Sequence, residues 1–218
     1  MFWAAIIGLL LMAYLLGSIP TGYLLAKFLK GIDIRQHGSG STGATNVLRV
    51  VGKKAAFTAL SIDLLKGSLA IIAVRWVYQV IAPALSAESF NYEIGLPWVI
   101  TLAGLAVILG HSRSIWLGFT GGKSAASGLG ILLAMFWPVG LGVLGVFALV
   151  LASFRIVSLS SISAAISAAV LMIIFQQPLP YQLMGIMGGI YVILRHRNNI
   201  QRLLVGTEPK VGRPLTSD

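Results

Sequence analysis

The segment Gly38-Ser39-Gly40-Ser41-Thr42-Gly43-Ala44-Thr45-Asn46-Val47-Leu48-Arg49 sets small and hydrogen-bonding residues between two long apolar stretches. Glycines let backbone N–H groups approach an anion, hydroxyls add donors, and an arginine supplies a forked positive charge. Those residue types describe a phosphate site. Two further clusters share the character, residues 118–130 and residues 195–210. Gathered on one side of a membrane, the three can build a single active site.

The elements that must position them are membrane helices. The chain of 218 residues is 57% hydrophobic and only 10% charged, the composition of an integral membrane protein. One helical domain over residues 1–218 is the natural reading for this length. The bases behind the formal charge of +10 flank apolar segments. Positive-inside topology explains them, so nucleic acid is not an expected partner. With no cysteine in the chain, disulfides, thiolate chemistry and cysteine-ligated metals are excluded. The first 26 residues carry no charged side chain, so the opening apolar run reads as a retained span rather than a cleaved signal.

Residues 2–26 form the first span, with Gly17, Pro20 and Gly22 expected to bend or break its second half. Lys27, Lys30, Arg35, Arg49, Lys53 and Lys54 crowd the next loop, which belongs in the cytoplasm. A second span covers residues 55–82, and its outer loop, 83–96, holds Glu88 and Glu93 and no base. A third, 97–110, leads into the basic stretch 113–123. Residues 125–152 are read as two short helices meeting near Trp137-Pro138. A single span would strand Arg155 outside, and later Arg195, Arg197, Arg202, Lys210 and Arg213 as well. Each half is shorter than the ~20 residues that cross a bilayer comfortably, which implies tilting, thinning or re-entrance. Spans at 156–175 and 181–194 complete an all-α, polytopic fold of about seven transmembrane helices, N-terminus out and C-terminus in.

Several familiar motifs fail on context. Gly38-x-Gly40-x-x-Gly43 matches a dinucleotide fingerprint, but it follows a transmembrane helix rather than a strand. Gly118-Phe119-Thr120-Gly121-Gly122-Lys123-Ser124 is one residue short of a Walker A loop. What survives is that Gly121, Gly122 and Lys123 precede an apolar helix, whose unpaired N–H groups and dipole favour an anion. Asp63 and Lys66, three apart on the second span, fit a structural ion pair and a catalytic pair equally. None of His37, His111 and His196 has an aspartate five positions later, so the histidine–aspartate acyltransferase route is absent. Ser158, Ser160, Ser161 and Ser163 suit small-residue helix packing. A transporter of phosphorylated anions would place its polar groups near the midplane of two related halves; here they sit at helix ends of unlike halves. A CDP-alcohol phosphotransferase needs several spaced aspartates, which Asp33, Asp63 and Asp218 cannot supply.

Taken together, three stretches resemble the bacterial acyl-phosphate:glycerol-3-phosphate acyltransferase family (PlsY). They are Gly38-Ser39-Gly40 through Ala44-Thr45-Asn46 to Arg49, Gly110-His111 through Gly121-Gly122-Lys123, and Arg195-His196-Arg197-x-Asn199-Ile200 through Arg202-Leu203-Leu204 to Glu208. The resemblance covers essentially the whole chain. It implies a membrane enzyme that moves an acyl chain from acyl phosphate to the 1-position of glycerol 3-phosphate, giving lysophosphatidic acid and phosphate. It implies a catalytic set of Ser39, Arg49, Lys123, His196 and Asn199. Ser39 and Arg49 would bind or polarise a phosphate, and His196 and Asn199 would orient the glycerol end or its attacking hydroxyl. Gly121 and Gly122 would cradle a phosphate with Lys123, and Gly38, Gly40, Asn46, His111 and Ser158 would join them in binding substrate. No metal or other cofactor is implied. The expected partners are acyl phosphate, glycerol 3-phosphate and membrane lipid, at the bacterial plasma (inner) membrane with the site facing the cytoplasm. Three positions depart from the usual family motifs: Ser41 replaces Asn, Thr120 replaces Lys and Ser124 replaces Gly.

Overall fold

The computed structural model describes residues 2–85 and 92–212; Glu88 of the expected outer loop, and Arg213 and Asp218 of the tail, lie outside them. Described secondary structure is helical, apart from one isolated antiparallel bridge between Ser114 and Thr120. The first span is broken. Helix α1, Phe2–Ser18, and helix α2, Thr21–Lys30, are separated at Ile19-Pro20, where proline lacks an N–H and its ring displaces the carbonyl one turn back. At the break the Ile19 carbonyl accepts the Thr21 N–H at 3.0 Å and Lys66 Nζ at 2.9 Å. Gly31, at φ 70, ends α2 by donating its N–H to the Lys27 carbonyl.

The short helix α3, Ala44–Val50, follows the first polar loop and leads into α4, Lys53–Leu85. At 33 residues, α4 is about 50 Å long, well beyond a bilayer's hydrocarbon thickness. Helix α5, Tyr92–Ser112, begins five residues before Pro97, ahead of the expected start. So close to a helix start, the missing proline N–H forfeits at most one intrahelical bond. Helices α6, Ala125–Met135, and α7, Trp137–Phe154, meet at an extended Phe136 with Pro138 in the first turn of α7. Helices α8, Val157–Ile174, α9, Leu179–Arg195, and α10, Arg197–Leu204, finish the described chain. Among the described residues, five stretches are long and apolar enough to cross a membrane: Phe2–Lys30, Lys53–Val80, Ile94–Ser112, Trp137–Phe154 and Val157–Ile174. Helix α6 is apolar but has 11 residues, and α9 has 17.

Helix α1 packs on α5, α4 on α6, and α8 on both α7 and α9. Small residues permit the first two crossings: Gly17 and Gly110 lie against backbone of the partner helix, as do Gly67 and Gly130. A side chain at any of them would drive the helices apart. Ile71, Val74, Ile100, Val107, Ile131, Val139 and Met172 fill the interior. Ile7, Leu11, Leu69, Trp76, Leu149 and Ile173 face outward, the inverse of a water-soluble bundle and suited to lipid.

Candidate active site

The loop before α3 is organised by one side chain. Asn46, 1% exposed, accepts the Ser39 N–H on Oδ1 and donates Nδ2 to the carbonyls of His37 and Ser41. Its amide is therefore committed to the loop. Gly38, at φ 60, lies so close to the Asn46 amide that any side chain there would displace it. The outcome is a tightly bonded loop that carries Ser39 and leads into α3, whose last turn presents Arg49.

Arg49 is partly buried, and among the described residues its side chain makes no hydrogen bond or ion pair. Burial lowers its pKa from the usual arginine value; Glu208 opposes that shift and Arg202 adds to it. A guanidinium in such a place retains all five donors for a ligand. Lys123 stands in the same field. Burial depresses its pKa to about 8, with Glu208 opposing and Arg202, Arg49 and Arg195 reinforcing.

Lys123 Nζ donates to Asn199 Oδ1, fixing the amide so that Asn199 Nδ2 donates to Glu208 Oε1, both at 2.5 Å. Ser158 Oγ donates to the same carboxylate oxygen at 2.7 Å, and Arg202 Nε donates to Oε2 at 2.7 Å. Burial raises the Glu208 pKa, but these three donors outweigh it and leave the carboxyl below its usual value. Glu208 is thus the hub that links α8, α10 and the loop before α6. Sequence reading assigns it no role. The available signal is its position as the single acid among the bases of residues 195–210.

His196 Nδ1 donates to the Val192 carbonyl at 2.7 Å, which fixes the tautomer with Nε2 as an acceptor. Burial pushes its pKa down to about 4, helped by Lys123 and Arg195 and opposed by the Val192 bond and Glu208. The ring is neutral at pH 7. Deeper in the wall, His111 Nδ1 lies 3.4 Å from Ser127 Oγ and 3.6 Å from Asp63 Oδ1, and Asp63 pairs with Lys66 at 2.8 Å.

One cavity of about 290 Å³ collects Ser39, Asn46, Arg49, His111, Lys123, Ser158, His196 and Asn199. From this polar mouth it runs between helices past Leu129, Leu132, Val143, Phe147, Ala168 and Met184. The four other expected binding residues do not line it. Gly38 shapes the loop, and Gly40 and Gly121 face a separate cleft. Gly122 donates its N–H to the His111 carbonyl at 3.1 Å, and its Cα abuts the His111 ring. The Gly122 N–H is therefore taken by His111 rather than open to the cavity. The pair permits close packing on His111, and the cavity instead meets Ser124, Ala125 and Ala126 at the start of α6, where first-turn N–H groups are unpaired within the helix. A polar end rich in cations joined to an apolar slot can hold phosphate groups and a hydrocarbon chain together.

The family model for glycerol-3-phosphate acyltransferase matches residues 7–206. The chain belongs to this family. A glycerol-3-phosphate acyltransferase of Nostoc sp. is 59% identical over 100% of this chain and 97% of its own. Glycerol-3-phosphate acyltransferase 2 of Rhizobium johnstonii is 55% identical over 97% and 98%. The crystal structure of PlsY, an integral membrane glycerol 3-phosphate acyltransferase, in its glycerol 3-phosphate form, superposes with a TM-score of 0.82. It is 38% identical and covers 95% of this chain and 96% of its own; the lysophosphatidic acid form gives a TM-score of 0.79.

Within this acyltransferase the departures from the usual motifs acquire physical content. Ser124 sits at φ 63, ψ 13 as the N-cap of α6, a left-handed conformation that glycine reaches without strain. Its Oγ donates to the Ile108 carbonyl at 2.9 Å, which holds the strained position. Ser41 Oγ accepts the Gly43 N–H, a local turn bond available to Asn as well. Thr120 lies outside the reaction cavity, in the separate cleft.

Proposed function

We propose that the acyltransferase uses acyl phosphate as donor, acylates the 1-position of glycerol 3-phosphate, and releases lysophosphatidic acid and inorganic phosphate. The observation that carries this reading is the single cavity in which the unpartnered Arg49 guanidinium opens onto an apolar slot. An acyl phosphate has that same shape: a phosphate joined to a long chain.

Acyl phosphate is already activated, so no covalent acyl-enzyme is required. The task is to hold two phosphorylated substrates side by side and neutralise the leaving group. Arg49, Lys123, the Ser39 hydroxyl and the N-terminus of α6 supply that positive field. The 1-hydroxyl oxygen attacks the carbonyl carbon, the new ester bond forms, and the bond from that carbon to the bridging phosphate oxygen breaks. The hydroxyl proton ends on the departing phosphate. Neutral His196, with a pKa of about 4, is a weak base. Its Nε2 is suited to accepting a hydrogen bond from the hydroxyl and orienting it, with Asn199 beside it. Asn46, Ser158, Glu208 and His111 act as positioning residues behind these groups.

The membrane arrangement belongs to the same proposal: seven spans, N-terminus out and C-terminus in, with α6 and α9 as the short ones. The cavity mouth then opens at the cytoplasmic face of the bacterial plasma membrane. The convergence of Arg49, Lys123 and Arg195 around that mouth supports this orientation.

The test supplies palmitoyl phosphate and glycerol 3-phosphate to purified protein in lipid, without metal, and follows phosphate and lysophosphatidic acid together. Equimolar release is expected. Product formed from acyl-CoA and none from acyl phosphate would overturn the donor assignment.

A further inference from the structure

Back to back with the reaction cavity lies an open cleft of about 430 Å³, walled by Asp33, Arg35, Gly40, Arg113, Gly121 and Arg195 among others. The two spaces share their partition. Ser39 and Ser41 face the cavity while Gly40 between them faces the cleft; Lys123 faces the cavity while Gly121 faces the cleft.

The cleft's charge is unbalanced. Asp33 is taken by Arg35, through Nε at 3.0 Å and Nη2 at 2.6 Å, which leaves Arg113 and Arg195 without a carboxylate among the described residues. Arg195 Nη2 donates to the carbonyls of Gly121 and Gly122 at 3.4 and 3.1 Å, while its buried Nε has no hydrogen-bond partner among the described residues. Arg113 is exposed and holds only a 3.4 Å contact to the Phe119 carbonyl. The two guanidiniums lie within electrostatic reach of each other. A buried N–H without a partner is costly, and two adjacent cations repel. A doubly charged oxyanion relieves the repulsion, and a phosphate matches the guanidinium fork.

We propose that this cleft is a second phosphate site, in which Arg113 and Arg195 clamp a phosphate group behind the two loops that border the reaction cavity. Its ligand is free inorganic phosphate or the phosphomonoester headgroup of a lipid at the bilayer surface. Because Arg195 also holds the Gly121 and Gly122 carbonyls, an anion drawing on it shifts the segment that carries Lys123. The cleft's affinity for phosphate stands alone, whereas its effect on turnover rests on the reading that those loops hold the reaction's phosphates.

Equilibrium dialysis of radiolabelled inorganic phosphate against the full chain in detergent tests the site. Wild type is expected to bind one phosphate per chain more than Arg113→Glu, which keeps only the phosphates held in the reaction cavity. Lys123→Ala should weaken the cavity's binding and leave the cleft's phosphate in place. Arg113→Gln serves as the second variant should the charge reversal fold poorly. Equal stoichiometry in wild type and both Arg113 variants would overturn the proposal. The lipid source is read with nanodiscs of phosphatidylcholine with and without phosphatidate. Binding of phosphatidate lost in Arg113→Glu, with no free phosphate lost alongside it, assigns the cleft to the headgroup; loss of neither ligand overturns it. In turnover, the phosphate dependence of kcat should weaken about fivefold in Arg113→Glu. Unchanged dependence alongside lost binding would overturn the coupling and keep the site.

Discussion

Two cations shielded from solvent to different degrees lie near the cavity, and they differ most in what pairs with them. Lys66 is 5% exposed, pairs with Asp63 at 2.8 Å and donates to the Ile19 carbonyl at 2.9 Å. Arg49 is partly buried and has no protein partner among the described residues. Lys66 is consumed in bridging Asp63 to the Ile19 carbonyl at the break between α1 and α2. Arg49 is presented by the last turn of α3 with its donors unused. Desolvating a charge is costly unless something compensates it, so a cation compensated by the protein reads as structural, and one left open reads as awaiting an anion.

The largest effect should come from Lys66→Ala, which strands Asp63 in a wall of apolar helices. A loss of about 3–5 kcal/mol is expected, read from unfolding in detergent. Replacing both partners, Asp63→Asn with Lys66→Met, should cost less than Lys66→Ala alone. A Lys66→Ala protein as stable as wild type would erase the distinction between the two cations.

Glu208→Gln probes the opposite sign of charge. The hub keeps its shape but loses the carboxylate that Asn199, Ser158 and Arg202 address. Weakening bonds to a charged acceptor by about 2 kcal/mol corresponds to roughly a thirtyfold fall in kcat/KM. Unaltered kinetics would confine Glu208 to the scaffold.

The break at Pro20, the break near Pro138 and the polar loops were all legible in the sequence, because proline, glycine and apolar run length act locally. So were the eight side chains that meet in the cavity, through family resemblance. The role of Glu208 was not, although the residue ends the third motif, since its partners include Ser158, 50 positions away, and Lys123 joins the same network across 76 positions to Asn199. Spacing carries no signal across such separations. The placement of Gly122 was hidden for a related reason: it looks identical in sequence whether its N–H faces a ligand or the His111 carbonyl, and only packing decides.

A smaller effect separates the free protein from its complex. Lys123 in the folded protein loses its proton near pH 8 rather than 10.5, so kcat/KM should fall above pH 8, by up to tenfold per unit. A bound phosphate favours the ammonium, so the decline in kcat should begin at higher pH. Lys123→Arg should abolish the decline in that range. Stability has the opposite sign. Between pH 8 and 10.5 the unfolded chain keeps a proton that the folded chain has released. The cost of burying this charge is therefore complete below pH 8 and fades as pH rises.

The most direct test is Arg49→Ala, with turnover of palmitoyl phosphate and glycerol 3-phosphate measured beside thermal unfolding of the same sample. The predicted result is a fall of about 10²–10³ in kcat/KM with the unfolding midpoint unchanged. A variant that turns over like wild type, or one that loses activity only because it unfolds, would contradict an arginine kept free for phosphate.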